Sequence, residues 1–314
     1  MTTTRTSVHD TVGVQPRLHP HGARRRRRRT GRREARLALA FLAPALLALI
    51  LLRIWPMTAA ALTSFTPPGG TDLAQLTLEN FRFLFADAGF ANMVRVTLLF
   101  SLIVNPLQIF LALALAVLLT QKLRGVRGWR VMVFLPAAVP QAVSAIVWGV
   151  AMRPDGPING FLAVLGIPPQ PFLSSPNQAL LSIIVIVSWI GVGYWMMFLI
   201  AGLLDIPAMY TEAAALDGAG WWSTFWNVTL PQLRRPLAFV LVADTVANFL
   251  VFAPVHILTR GGPEGSTDLV MYEIYTRAYQ FGDLSLAAAE TVLLVSLVIA
   301  IVSVQFRLLP GRTD

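Results

Sequence analysis

Few side chains in this 314-residue chain could do chemistry, and their spacing narrows what that chemistry is. Asp244 and Asn248 stand four residues apart inside an apolar run. On a helix they share a face, where they could line a polar path or pair with a neighbouring helix. Ionisable groups within a membrane span cost about 2.5–3.5 kcal/mol at its centre, so they tend to face a cavity or a partner. Tyr194, Trp189 and Asn105 also lie in apolar runs and could stack on or hydrogen-bond a polar ligand on that path, or simply pack. Cysteine is absent, which removes disulfides, thiolate metal sites and a thiol nucleophile. Lys122 is the only lysine; Leu123 follows it and no glycine precedes it closely, so no phosphate-binding P-loop exists. No metal-spaced histidine cluster, nucleophile elbow or catalytic carboxylate pair is present, and the chain reads as a non-enzyme without a cofactor of its own.

The elements that must position these residues are membrane spans. The chain is 55% apolar and 13% charged, with a mean hydropathy of +0.64, too apolar for a soluble domain of this size. A helix crossing ~30 Å of hydrocarbon needs roughly 20 residues. Six stretches qualify: Leu37–Ser64, Thr97–Thr120, Val131–Met152, Ala179–Leu204, Leu237–Leu258 and Leu284–Phe306. The expected fold is an all-α integral membrane protein of six spans. Arginines cluster before the first span, around Lys122–Arg130, at Arg234–Arg235 and after the last span. The positive-inside rule therefore places both termini and the loops after spans 2 and 4 in the cytoplasm. A net charge of +9 is thus a topology signal, and it argues for a lipid bilayer rather than nucleic acid as the partner.

Residues 1–35 form a basic tail with six consecutive arginines at Arg24–Arg29, too polar to bury a core and expected to be disordered. It reads as a topology anchor that also meets anionic lipid. A cleaved secretory signal is the competing reading, with Ala59-Ala60-Ala61 as its small-residue site. An uncleaved signal-anchor fits better, because the apolar run is long and five more follow. The span-bearing body is 36–310, and 311–314 is a short cytoplasmic tail. The scarcity of lysine suggests a GC-rich genome, such as an actinobacterial one.

One polar segment, 205–235, interrupts the spans with unusual content. Asp205 could cap a short helix that tolerates Pro207 near its start. Met209, Ala213 and Leu216 would share one face, with Glu212, Ala214 and Asp217 beside them. Gly218 and Gly220 supply a turn. A second short helix from Trp221 carries Trp222, Phe225 and Trp226 until Leu230-Pro231 stops it, and Pro236 opens the next span. Three aromatics, Trp222, Phe225 and Trp226, on one face of a loop helix expected to be polar indicate a partner surface.

The run Glu212-Ala-Ala-Ala-Leu-Asp217-Gly218-Ala-Gly220, then Phe225, Leu230-Pro231 and Pro236, resembles the EAA loop of binding-protein-dependent ABC permeases. A second block supports it: Leu258-Thr259-Arg260-Gly261-Gly262-Pro263, then Thr267, Leu269, Tyr272, Ile274-Tyr275 and Ala287-Ala288-Ala289. That block is similar to the outer loop and last span of the carbohydrate-uptake branch, the maltose and glycerol-3-phosphate type. The resemblance implies a type I importer permease that pairs with a second, homologous permease and an ATPase dimer, which holds the ATP and Mg. It also implies an extracellular solute-binding protein that delivers a sugar, an oligosaccharide on this reading. Glycerol 3-phosphate or another polar solute is the near alternative. The loop at 205–235 would dock into the ATPase, with Met209, Leu216, Trp221 and Trp222 giving contact area and Glu212 fixing the loop by hydrogen bonds. Gly261, Gly262 and Pro263 would lie near the binding protein. Ala253 and His256 depart from the family pattern, and Glu290 takes a usually uncharged place. Glu290 and Arg53 both fall in outer halves of spans and could pair. An ion-coupled carrier with buried carboxylates, or a non-transporting membrane scaffold, is the rival class.

Overall fold

The computed structural model describes residues 37–70, 72, 75–121 and 124–308, and every regular element among them is a helix. The expected disorder of the basic tail, Lys122, and the tail at 311–314 lie outside the described residues. The chain divides at Ala59–Ala60 into two units. Helix α1, Leu37–Thr63, crosses that division near its end, and its leucines are exposed, as suits a helix solvated by lipid. A π-helical turn at Ile50–Ile54 absorbs the defect made by Pro56, whose missing N–H interrupts the ladder.

The second unit is built on α3 (Ala88–Thr120), preceded by the short α2 (Glu79–Ala86). Asp87 caps α3, its two carboxylate oxygens accepting from the N–H groups of Gly89 and Phe90 at 3.0 and 3.2 Å. At the other end the Arg130 guanidinium donates to the last-turn carbonyl of Leu119 at 2.7 and 3.1 Å. Next come α4 (Val126–Ala138), α5 (Gln141–Ala151), α6 (Pro157–Val164) and α7 (Ala179–Leu204). Helix α7 is the central element. It packs on α3 through Val192, Trp195, Met196 and Leu199 against the small Ala112 and Ala116. It also meets α4 where Gly193 leaves so little room that a methyl would overlap the Val133 carbonyl. The last elements are α8 (Ala208–Leu216), α9 (from Trp221), α10 (Arg234–Phe249), α11 (Ala253–Leu258), α12 (Val270–Tyr275) and α13 (Leu284–Leu308).

Among the described residues five helices are long and apolar enough to span a bilayer: α1, α3, α7, α10 continued by α11, and α13. The sequence reading expected an unbroken third span at Val131–Met152. Instead α4 and α5 meet at 98°, and together they make a sixth span only if counted as one. Pro140 is the cause. It forces the preceding Val139 to extended backbone (φ −88°, ψ 133°), which no α-helix accommodates. The second span is longer than expected, since α3 starts at Ala88 within the stretch read as an outer loop. The fifth is interrupted between Phe249 and Ala253, where Phe252 leaves helical geometry ahead of Pro254.

Candidate functional site

Two features stand out, one inside the bundle and one projecting from it. Inside, Ser101, Asn105 and Gln108 of α3 face Asp244, Thr245 and Asn248 of α10. Asn248 Nδ2 donates to Asn105 Oδ1 at 2.7 Å and to Asp244 Oδ1 at 3.1 Å. Asn105 Nδ2 donates to Ser101 Oγ at 2.8 Å and reaches Thr245 Oγ1 at 3.3 Å. Gln305 of α13 donates to the same Thr245 hydroxyl at 2.8 Å, so three helices are tied by one polar chain.

Beside this chain lies a cleft of about 380 Å³, with Asp244, Asn248, Gln108, Tyr194, Trp195 and Gln141 among its lining. Asp244 and Gln108 are almost fully buried, while Tyr194 is half-exposed. Trp195 stands next to Asp244, yet Asp244 Oδ2 has no aligned hydrogen bond. The break between α4 and α5 opens onto the same cleft, with Val139 and Gln141 in its wall. Broken helices at membrane depth are tolerated where they line a cavity.

The five residues read from sequence as a solute path are thus divided. Asp244, Asn248 and Tyr194 meet at the cleft. Asn105 does not line it, since its amide is engaged with Ser101, Thr245 and Asn248. Trp189 lies on a separate apolar recess with Val133 and Pro136, its ring edge-on to Trp148 at 5.6 Å. Gln108, Gln141 and Trp195 were missed. Gln108 was legible as the residue one turn after Asn105; the other two become wall residues only through packing.

The projecting feature is the segment between α7 and α10. Asp205 does not cap α8; it ends α7, its N–H bonded to the Ala201 carbonyl at 3.1 Å, and Pro207 takes the position before Ala208. Helix α8 closes with the Ala219 N–H on Ala214 O at 2.9 Å and the Gly218 N–H on Ala215 O at 3.1 Å. Gly218 sits at φ +79°, the left-handed turn such a closure requires. Helix α9 starts as Trp221–Thr224, widens into a π turn at Phe225–Thr229 and runs on through Leu230–Gln232. Pro231 therefore does not stop it. Proline lacks a donor, and the wider turn relieves the ladder around it. Met209, Leu216, Trp221, Trp222 and Trp226 are exposed, Leu216 at 90%. Trp221 stacks on Phe225 at 5.6 Å and meets Trp222 edge-on at 4.6 Å. Glu212 is exposed and makes no side-chain hydrogen bond among the described residues.

The Gly261-Gly262-Pro263 loop is tightly folded. Thr267 Oγ1 sits 2.7 Å from both the Gly262 carbonyl and Thr259 Oγ1, and a side chain on Gly261 would press on Asp268 and Tyr272. Burial, followed by the nearby Glu273, pushes the Asp268 carboxyl from 3.8 up to about 6, while Arg277 pulls it back. Arg277 is the partner of Glu290 within the second unit. Its Nε lies 2.6 Å from Glu290 and 2.8 Å from Glu273, contacts of charge rather than of aligned hydrogen bonds, with Asp87 at 3.9 Å.

A helical membrane bundle with a broken span, a polar mid-bundle cleft and a projecting aromatic helix pair defines the class of a polytopic transport subunit. Residues 108–314 match the family described as "Binding-protein-dependent transport system inner membrane component". The chain belongs to that family. It is 32% identical over 274 residues to the sn-glycerol-3-phosphate transport system permease protein UgpA of Agrobacterium fabrum, covering 86% of this chain and 93% of the relative. It is 34% identical over 275 residues to the protein of the same name from Pectobacterium atrosepticum, covering 86% and 93%. Its fold matches, with a TM-score of 0.75 and 20% identity, a bacterial ABC transporter involved in the import of the acidic polysaccharide alginate, over 92% of this chain and 100% of that one. These bacterial relatives lend no support to an actinobacterial source.

Proposed function

We propose that this chain is a permease subunit of an ATP-driven importer in the bacterial inner membrane, moving a carbohydrate delivered by an extracellular binding protein. The single observation that carries the reading is the α8–Gly218–α9 projection, an exposed aromatic surface on a member of this transport family. In the proposed arrangement α4 and α5 together form one span, giving six, with both termini and the projection in the cytoplasm. The projection enters a cleft of a separate ATPase, which binds ATP and Mg. ATP-driven closure of the ATPase dimer then favours one permease conformation over the other. A second, homologous permease closes the open side of the cleft at Asp244, Asn248 and Tyr194. The Gly261–Gly262–Pro263 loop lies on the outer face, near the binding protein. The relatives named for glycerol 3-phosphate and alginate support a polyhydroxylated cargo, and they make glycerol 3-phosphate the second reading.

The test compares uptake of labelled oligosaccharides, monosaccharides and glycerol 3-phosphate in a deletion strain restored with wild type or Leu216→Asp. Loss of one solute's uptake, rescued by wild type alone, is the expected result. It should be accompanied by failure of the Leu216→Asp importer to retain its ATPase on purification. Burial of one leucine side chain contributes about 1.5–3 kcal/mol, so the charged replacement should weaken docking at least tenfold. Full uptake and a bound ATPase in Leu216→Asp would refute the docking assignment. Uptake that survives ATP depletion but collapses with the ion gradient would favour a coupled carrier instead.

A further inference from the structure

We infer that Asp244 acts as a charge filter, fitting the cleft to neutral or cationic polyhydroxylated solutes and against phosphate esters and uronates. The inference rests on the reading of that cleft as the solute path. Its volume of about 380 Å³ lies within the range of small-molecule sites, about 300–1,000 Å³. The polar groups it offers are two glutamines, an asparagine, a phenol, an indole and one carboxylate, and no Lys, Arg or His is among its lining residues.

The helices around it supply no cation from nearby. Helices α5 and α7 contain none along their whole lengths. On α3, Arg95 lies about 15 Å from Asn105 by helical rise, and on α10 Arg235 lies about 14 Å from Asp244. Arg130 of α4 is engaged with the Leu119 carbonyl. The start of α5 at Gln141 brings a helix N-terminus to the wall, equivalent to roughly half a positive charge. That is half of what the carboxylate opposes, so the net local field disfavours anions.

Asp244 is also arranged to accept. Oδ1 takes the Asn248 amide, while the buried Oδ2 lies beside Trp195 without an aligned hydrogen bond. A sugar hydroxyl or an ammonium group donates to such an oxygen; a phosphate dianion has no proton to give. An arriving anion must therefore stand against a like charge or force the carboxyl to take up a proton, and either weakens binding. The cleft thus differs in charge preference from what the names of the glycerol-3-phosphate and alginate relatives describe.

The test uses the whole importer, with its partner permease and ATPase, in lipid nanodiscs. Tryptophan fluorescence, with Trp195 next to Asp244 as the expected reporter, is titrated with glucosamine, glucose, glucuronate and glucose 6-phosphate. These probes keep one hydroxyl scaffold while the charge changes from positive to doubly negative. Wild type is expected to bind glucose about 10- to 100-fold more tightly than glucose 6-phosphate, with glucuronate between. In Asp244→Asn, whatever its effect on glucose itself, that ratio should fall to within about threefold, since one charge is removed and the shape is kept. Charge-blind binding by wild type overturns the filter and leaves the solute path standing. Undiminished discrimination in Asp244→Asn also overturns it. Failure of every probe to bind overturns the filter and the path together. Should Asp244→Asn not assemble, the wild-type series decides alone.

Discussion

Replacing Gly218 tests whether the projecting helix pair must hold its observed turn. Gly218 has φ +79°, and a Cβ placed there meets nothing within 4 Å, so backbone strain is the only cost of a small side chain. Alanine in the left-handed region costs roughly 1–2 kcal/mol, which lowers the fraction of correctly turned loops about 5- to 30-fold. Asparagine visits that region more readily and should lose less. Proline is far worse for three reasons. It fixes φ near −65°, removes the N–H that bonds Ala215 O at 3.1 Å, and disfavours the near-helical backbone of Asp217 (ψ 3°). Together these cost about 3 kcal/mol or more, over 100-fold in turned population. The assay is solute uptake normalised to the amount of protein in the membrane, alongside ATPase retained on purification. The expected order is wild type, Asn, Ala, Pro, with Pro inactive yet present in the membrane. Normal uptake by Gly218→Pro, or an Asn variant as impaired as Pro, would show that coupling does not depend on this turn.

Three further outcomes follow from packing and charge. Arg277→Gln strands Glu290, which is fully buried, without its guanidinium; loss of about 3–5 kcal/mol is expected as a drop in the purified importer's thermal midpoint, and an unchanged midpoint would count against the ion-pair reading. Gly193→Ala drives a methyl into the Val133 carbonyl between α4 and α7, and a cost of about 1–3 kcal/mol should appear as reduced detergent stability; an unaffected variant would contradict the close approach. Asp268 titrates near 6 in the folded protein against 3.8 normally, so the folded state holds more protons between those values. Stability from this group is then present at low pH and lost as pH rises through about 6, by about 1 kcal/mol after allowing for its partial exposure. Thermal midpoints at pH 5 and 7 should differ in that direction in wild type and differ less in Asp268→Asn; identical pH dependence in the two would refute the assignment.

The apolar runs, the Glu212–Gly220 motif and the Gly261–Pro263 block were determined by the sequence alone, because each is a local pattern. Spans follow from run length, and a left-handed turn follows from a glycine closing a short helix. Pro140 was equally local, but the expectation of one span over Val131–Met152 followed hydropathy alone, which is blind to the break between α4 and α5. Other properties belong to pairs of residues distant in the chain, and only tertiary structure decided them. Asn248 meets Asn105 at 2.7 Å across 143 positions, which turns Asn105 from a candidate ligand contact into a strut. Glu290 found Arg277, since charge identity says nothing of which buried partner lies within reach. Trp189 and Tyr194, five residues apart on α7, face different recesses because a helix turns 100° per residue and its neighbours decide which side is enclosed. What the cleft offers a solute was settled at the same level. A carboxylate, five amide and aromatic side chains and a broken helix become one surface only when α3, α5, α7 and α10 are packed together.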